Sequence, residues 1–66
     1  MKNNIKVERA IKNITQDELA KLAGVSRQTI NAIELCKYIP STVLAMKIAK
    51  VFEKKIEDIF TLEDID

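Results

Sequence analysis

Sixty-six residues with one cysteine and no histidine make one domain and exclude an internal disulfide and a zinc site built from histidine and thiolate ligands. A hydrophobic fraction of 47% suits a folded domain, yet no run approaches the roughly 18 apolar residues of a membrane span. The net charge of +1 hides a division: residues 1–50 carry nine Lys or Arg against four acids, and residues 51–66 carry two lysines against six acids.

That division fits either scattered solvated faces or a first part that meets an anion and a last part that faces away from it. A core in so short a chain rarely supplies more than about 3–5 kcal/mol. Stability therefore has to come from close helix packing or from a partner subunit. The opening residues hold no apolar run, so no signal peptide is expected, and the location that follows is cytoplasmic.

One glycine, one proline and little strand-type alternation predict five helices with short turns. The first runs from Asn4 or Ile5 to Lys12, with Asn4 as its N-cap. The second has the clearest start: Thr15-Gln16-Asp17-Glu18 is a capping box, and Ile14 before it can staple onto Leu19. It continues through Leu19, Ala20, Leu22 and Ala23 and stops at Gly24, the residue best suited to a left-handed stop. Ser26 caps a third helix, which turns Ile30 and Ile33 inward and ends near Leu35. Pro40-Ser41 marks a loop and a new cap. The fourth helix spans Thr42 to Phe52 with the stripe Leu44, Ala45, Ile48, Ala49 and Phe52. Val43, Met46 and Val51 flank that stripe, an apolar arc wide enough for the central helix. A short fifth helix covers Ile56 to Phe60. The tail, residues 61–66, alternates weakly and can add a strand or stay loose.

The tight turn Ala23-Gly24-Val25-Ser26 forces the second and third helices to cross steeply, the helix-turn-helix geometry of residues 16–35. With Ile30 and Ile33 inward, the third helix turns Arg27, Gln28, Asn31, Ala32 and Leu35 outward. Arg, Gln and Asn are the side chains that make bidentate contacts with guanine and adenine edges in the major groove, and the Ala32 methyl suits a thymine methyl. Ser26, Thr29 and Gln16 suit phosphate oxygens, helped by the free amides and positive dipole end of the second helix. Three polar residues alone describe any surface helix. The capping box, glycine turn and second cap at fixed spacing argue for a groove reader. No nucleophile paired with a base and no glycine-rich phosphate loop is present, so neither enzyme chemistry nor a cofactor is expected.

The segments Thr15-Gln16-Asp17-Glu18-Leu19-Ala20 and Ala23-Gly24-Val25-Ser26-Arg27-Gln28-Thr29-Ile30, then Ile33-Glu34, Pro40-Ser41, Ile48-Ala49-Lys50 and Ile56-Glu57-Asp58-Ile59-Phe60, together resemble the Cro/C1-type (XRE) helix-turn-helix family from Ile5 to about Phe60. Length and termini are especially similar to its compact members, the cytolysin-operon repressors. The resemblance implies an all-α, five-helix, lambda-repressor-like domain over residues 1–66, with a short two-stranded antiparallel sheet from the termini. It implies a dimer on double-stranded DNA, with no membrane and no small-molecule ligand. By position, Arg27, Gln28, Asn31 and Ala32 fall at base edges. Gln16, Ser26, Thr29, Lys37 and Tyr38 fall on phosphates, and Arg9 pairs with Glu34. The last assignment agrees with the helical reading, since Glu34 lies beside Ile30 and Ile33, where a carboxylate needs a partner. Two positions depart from the family pattern: Cys36 stands where Gly or Asn is usual, and Glu53 where Gly is usual.

Cys36 is either a stray thiol or, beside Lys37 and close to the proposed DNA face, a redox sensor. The late apolar residues Ile56, Ile59, Phe60, Leu62 and Ile65 either finish the core or form a dimer seam. On the second reading Ile59 lies inside and Ile56, Phe60 and Leu62 face the partner. The functional expectation is a homodimeric transcription regulator, a repressor because 66 residues leave no room for an activating or ligand-binding domain. The rival is an antitoxin-like interaction module that also binds DNA.

Overall fold

Short polar side chains start three of the helices. Thr15 Oγ1 accepts from the Glu18 amide and Glu18 Oε1 accepts from the Thr15 amide, both at 3.0 Å. Ser26 Oγ accepts from the Thr29 amide and Ser41 Oγ from the Leu44 amide, each at 3.2 Å. Each of these bonds satisfies an amide that has no partner within its helix. The computed structural model, which describes all of residues 1–66, orders the elements as β1 (Lys2–Asn3), α1 (Ile5–Lys12), α2 (Gln16–Ala23), α3 (Arg27–Glu34), α4 (Thr42–Val51), α5 (Ile56–Ile59) and β2 (Phe60–Thr61).

The start of α1 corrects one expectation. Asn4 occupies the cap position, but its side chain makes no capping bond. Its backbone, at φ −120° and ψ 33°, lies outside the extended region from which a cap side chain reaches back, and its amide is held by the Ile59 carbonyl at 3.0 Å. Asn3 does the work instead. Its Oδ1 accepts from the Ile5 amide at 3.2 Å while its Nδ2 donates to the Ile33 carbonyl at 2.8 Å, joining the start of α1 to the end of α3.

The ends of α1 to α4 share one device. Asn13, Gly24, Cys36 and Glu53 have φ of 58°, 75°, 59° and 56°. After α3 the Cys36 amide donates to the Ile33 carbonyl and the Lys37 amide to the Ala32 carbonyl, both at 2.9 Å. After α4 the Glu53 and Lys54 amides donate to Lys50 and Ala49, both at 3.0 Å. This is the Schellman pattern, and only Gly24 adopts it without a Cβ in the left-handed region. Relief of that strain exceeds the extra chain entropy that glycine loses on folding. Cys36→Gly and Glu53→Gly are therefore each expected to raise stability by up to about 1 kcal/mol, seen as a higher denaturation midpoint with unchanged slope; a lower midpoint would show that these turns carry no strain.

Ile5, Leu19, Ile30, Ile33, Ile48 and Ile59 are almost wholly removed from solvent, and Ala20, Ala23, Leu44, Ala45, Ala49, Phe52 and Phe60 close the cluster around them. The α4 stripe is as expected and Val51 packs half-buried against the core, but the other two residues of the wider arc do not. Val43 and Met46 are 63% and 56% exposed, because the core is closed by Leu44, Ala45, Ile48 and Ala49 of α4 with Phe52 after it. β1 and β2 pair antiparallel, Lys2 opposite Thr61 and Asn3 opposite Phe60. α5 therefore ends at Ile59, one residue before its expected end. Phe60, at φ −116° and ψ 138°, has already entered the strand. Phe60 is only 6% exposed: its side chain completes the core of its own chain, where the seam reading has it facing a partner.

Beyond Thr61 the tail makes a turn, not a strand. The Met1 ammonium donates to Asp66 Oδ1 at 2.9 Å and lies 3.2 Å from Glu63 Oε1. The hydrogen bond from Met1 to Asp66 holds the ammonium above its ordinary value of 8.0. The bond that the Glu63 amide donates to Asp66, with the ammonium beside it, holds that carboxyl below its ordinary value. A second contact that the sequence did not announce involves Glu8. It is buried on α1 and accepts from Lys54 Nζ at 2.8 Å across 46 residues of sequence.

Candidate nucleic-acid interface

The cap at Ser26 and the turn at Gly24 set α3 so that Ile30 and Ile33 enter the core and Arg27, Gln28 and Asn31 stand exposed on the opposite side. Ala32 is half-buried between the two faces. Ser26 Oγ and Thr29 Oγ1 lie 3.0 Å apart at the head of the helix. Their shared hydrogen bond uses one hydroxyl hydrogen and leaves the other free to meet an acceptor. The loop after α3 carries Lys37, Tyr38 and Ile39 exposed, anchored by the buried Pro40. No ion pair engages Arg27 or Lys37.

Beneath this face lies a polar brace. Arg9 Nε donates to Glu34 Oε2 at 2.7 Å, Arg9 Nη2 to Glu34 Oε1 at 3.1 Å and Arg9 Nη1 to the Ile14 carbonyl at 3.2 Å. The two side chains are 15% and 7% exposed, and the fork-on-carboxylate geometry is the strong bidentate form. Glu34 lifts the guanidinium further above its ordinary range through these hydrogen bonds, against the opposing effect of burial. Gln16 extends the brace. Its Nε2 donates to Glu34 Oε1 at 3.2 Å and to Asn31 Oδ1 at 3.1 Å. Both amide hydrogens of Gln16, expected on a phosphate, are thus directed to α3 within the chain. That link was not legible in the sequence; the one hint was that Gln16 opens the helix that packs on α3.

The expected site residues fall into neighbouring groups. Gln16 and Arg27 line one cleft of about 530 Å³ with Arg9, Asn13 and Thr15. Tyr38 and Thr29 line another of about 320 Å³ with Ser41 and Lys47. Lys47 was counted in the sequence only as part of the positive half; its place beside Tyr38 adds a cation to the loop side of the face. Cys36 is exposed, and its Sγ lies 4.0 Å from Asn3 Nδ2.

A helix-turn-helix family model matches residues 5–59. The chain belongs to the helix-turn-helix family, of the Cro/C1 type. This helix-turn-helix protein is 64% identical to a protein of Methanocaldococcus jannaschii named an HTH-type transcriptional regulator, over 97% of both chains. It is 48% identical to the Bacillus subtilis HTH-type transcriptional regulator YgzD, again over 97% of both. An HTH-type transcriptional regulator of Archaeoglobus fulgidus matches at 55% over 97% of this chain and 90% of the relative. No helix of the protein is long and apolar enough to cross a membrane.

Proposed function

We propose that this helix-turn-helix protein is a DNA-binding transcription regulator that acts as a homodimeric repressor on a short inverted repeat. The observation that carries the proposal is the exposed triad Arg27, Gln28 and Asn31 on α3, whose inward face is locked into the core. Those three and the Ala32 methyl read base edges in the major groove. Ser26, Thr29, Lys37 and Tyr38 hold phosphates. Gln16 reaches a phosphate through its free carbonyl side only by way of water, since its amide hydrogens are engaged; its main part is to support α3. The relatives' names as transcriptional regulators support the same reading.

An isologous two-fold would set two α3 helices about 34 Å apart, one turn of duplex. Ile56 lines an apolar groove of about 550 Å³ with Val43, Met46 and Ala49, and Leu62 is 78% exposed. Ile56 and Leu62 supply the seam, and Phe60 supports it from within the core. Selection from a random duplex library with the wild-type chain, beside an Arg27→Ala/Gln28→Ala variant, tests the proposal. Enrichment of an inverted repeat by the wild type alone supports a dimeric reader; no enrichment at low salt sinks specific recognition.

Lys37→Ala is expected to weaken binding to every duplex alike and to reduce the slope of log K against log salt by about one. Titrations at several salt concentrations on operator and scrambled duplex check this, and a loss confined to the operator would move Lys37 to the base-reading group. A second reading rests on Val7 and Ile11, one turn apart on α1 and 56% and 71% exposed. They favour an antitoxin-like protein contact outside the groove at Ile56.

A further inference from the structure

A line of cations leads off the proposed DNA face along α4. Lys47 lines the cleft of about 320 Å³ that holds Thr29, Tyr38 and Ser41, on the side of the face assigned to phosphates. It also lines the next cleft, of about 440 Å³, together with Lys50 and with Lys21 of α2. Lys47 and Lys50 stand three residues apart on α4 and so share one side of the helix. All three lysines are exposed. Neither Lys47 nor Lys50 joins an ion pair. Lys21 has only its exposed contact with Asp17, at 3.4 Å, an interaction worth little in water. No acid lines either cleft.

The far end of α4 is different. Lys54 pairs with Glu8 at 2.8 Å, and the cleft of about 690 Å³ around it sets Glu8, Glu53 and Asp58 against Lys50, Lys54 and Lys55. Positive charge is therefore balanced within the chain away from the DNA face and left unbalanced beside it. Like charges gathered without a counter-charge repel one another, and an anion arriving from outside relieves that repulsion. Lys47 and Lys50 also border the apolar groove at Ile56, but a lysine stem lies along apolar surface while its ammonium reaches past it. Lys21 stands outside that groove.

We infer that Lys21 and Lys50, reached through Lys47, form a second phosphate track that takes the backbone of duplex lying beyond the base pairs read by α3. This rests on the proposed function. Continuity argues for DNA as the partner: a polyanion that crosses the Thr29–Tyr38 cleft and extends past it meets Lys47 first, then Lys50 and Lys21. Duplex carries one negative charge per roughly 1.7 Å of its axis, dense enough to serve each ammonium without a shaped pocket. Lysine holds a phosphate as a point charge, so the contact carries no base information. It adds affinity and salt dependence, and it makes the footprint longer than the operator.

Two duplexes test the inference, both carrying the selected operator. One is trimmed to the last base pair read, and the other adds about ten base pairs, one helical turn, on each side. Binding is followed by fluorescence anisotropy over a range of salt concentrations. The proteins are the full wild-type chain, Lys21→Gln/Lys50→Gln and, as a control from the balanced cleft, Lys55→Gln. On the long duplex the double variant is expected to lower the slope of log K against log salt by about two. Between about 50 and 200 mM salt the wild type then loses roughly tenfold more affinity than the variant. On the trimmed duplex the two are expected to coincide, and Lys55→Gln to match the wild type on both. An equal loss on both duplexes would put the lysines inside the operator footprint or at the dimer seam and overturns the inference. Wild-type affinity indifferent to the flanks also overturns it, the result expected if the track serves an acidic protein surface instead. Either outcome leaves the regulator reading intact, whereas no duplex bound by the wild type at low salt overturns both.

Discussion

Arg9→Ala is expected to destabilise the fold by about 3–5 kcal/mol, the cost of leaving a buried carboxylate without its partner. Glu34 keeps only the hydrogen bond from Gln16, on a side chain that is 7% exposed with Arg9 in place. The Ile14 carbonyl, which accepts from Arg9 Nη1 at 3.2 Å, loses its donor as well. A domain of this size has about that much stability in total, so the variant is expected to be largely unfolded at 25 °C. Circular dichroism with urea titration checks this, with Arg9→Lys as a milder companion that keeps the charge and loses the fork. The double variant Arg9→Met/Glu34→Leu is expected to recover most of that loss, because two apolar groups of similar volume replace the pair without leaving a charge alone, although the Ile14 carbonyl still lacks its donor. If Arg9→Ala cost under about 1 kcal/mol, the pair would rank with exposed ion pairs, and the brace beneath α3 would lose its mechanical role.

The second large effect falls on binding. Arg27→Ala and Gln28→Ala are each expected to weaken operator binding by about 1–3 kcal/mol. As sequence neighbours on one helix turn they couple, so the pair is expected to lose roughly 2–5 kcal/mol without strict additivity. Affinity for scrambled duplex is expected to fall less, since on the proposed assignment Lys37, Ser26 and Thr29 still meet the backbone and carry the sequence-independent part. Both side chains are exposed, so the denaturation midpoint stays within about 0.5 kcal/mol of wild type. Fluorescence anisotropy on operator and scrambled duplex gives the two affinities. Equal losses on both duplexes would show that α3 supplies only charge and would end the base-reading assignment.

Local signals carried most of the fold. The capping box at Thr15 and Glu18, the stop at Gly24 and the caps at Ser26 and Ser41 each act within four residues, so the sequence states them directly. Contacts closed over long separations were less legible. No local pattern distinguishes Asn3 from Asn4 as the residue that serves α1, because the choice is made by the Ile33 carbonyl thirty residues away. Phe60 reads equally well as seam or core until β2 fixes its direction. Glu8 is one of four acids among residues 1–50 with nothing local to mark it as buried, and only the arrival of Lys54 makes its burial tolerable. In the candidate site, the outward set on α3 followed from two inward isoleucines. The engagement of Gln16 with Asn31 and Glu34 did not, since it depends on how closely α2 and α3 approach.

The pairing of Lys2–Asn3 with Phe60–Thr61 also bears on the order in which the molecule opens. It closes a loop of nearly the whole chain with two-residue strands, so it forms late in folding, after the entropy of that loop has been lost. It is also the first contact to fray, while the α2–α3–α4 core around Ile30 and Ile48 remains shut. Amide hydrogens of the clasp, such as that of Asn4 on the Ile59 carbonyl, thus exchange with solvent through local opening, and those of α4 only through global unfolding. Leu62 lies just beyond the clasp, on the labile side of that boundary. A second subunit seated there would slow exchange at the chain ends and leave the rate at α4 to follow total stability, so association would register first in the part of the fold farthest in sequence from α3.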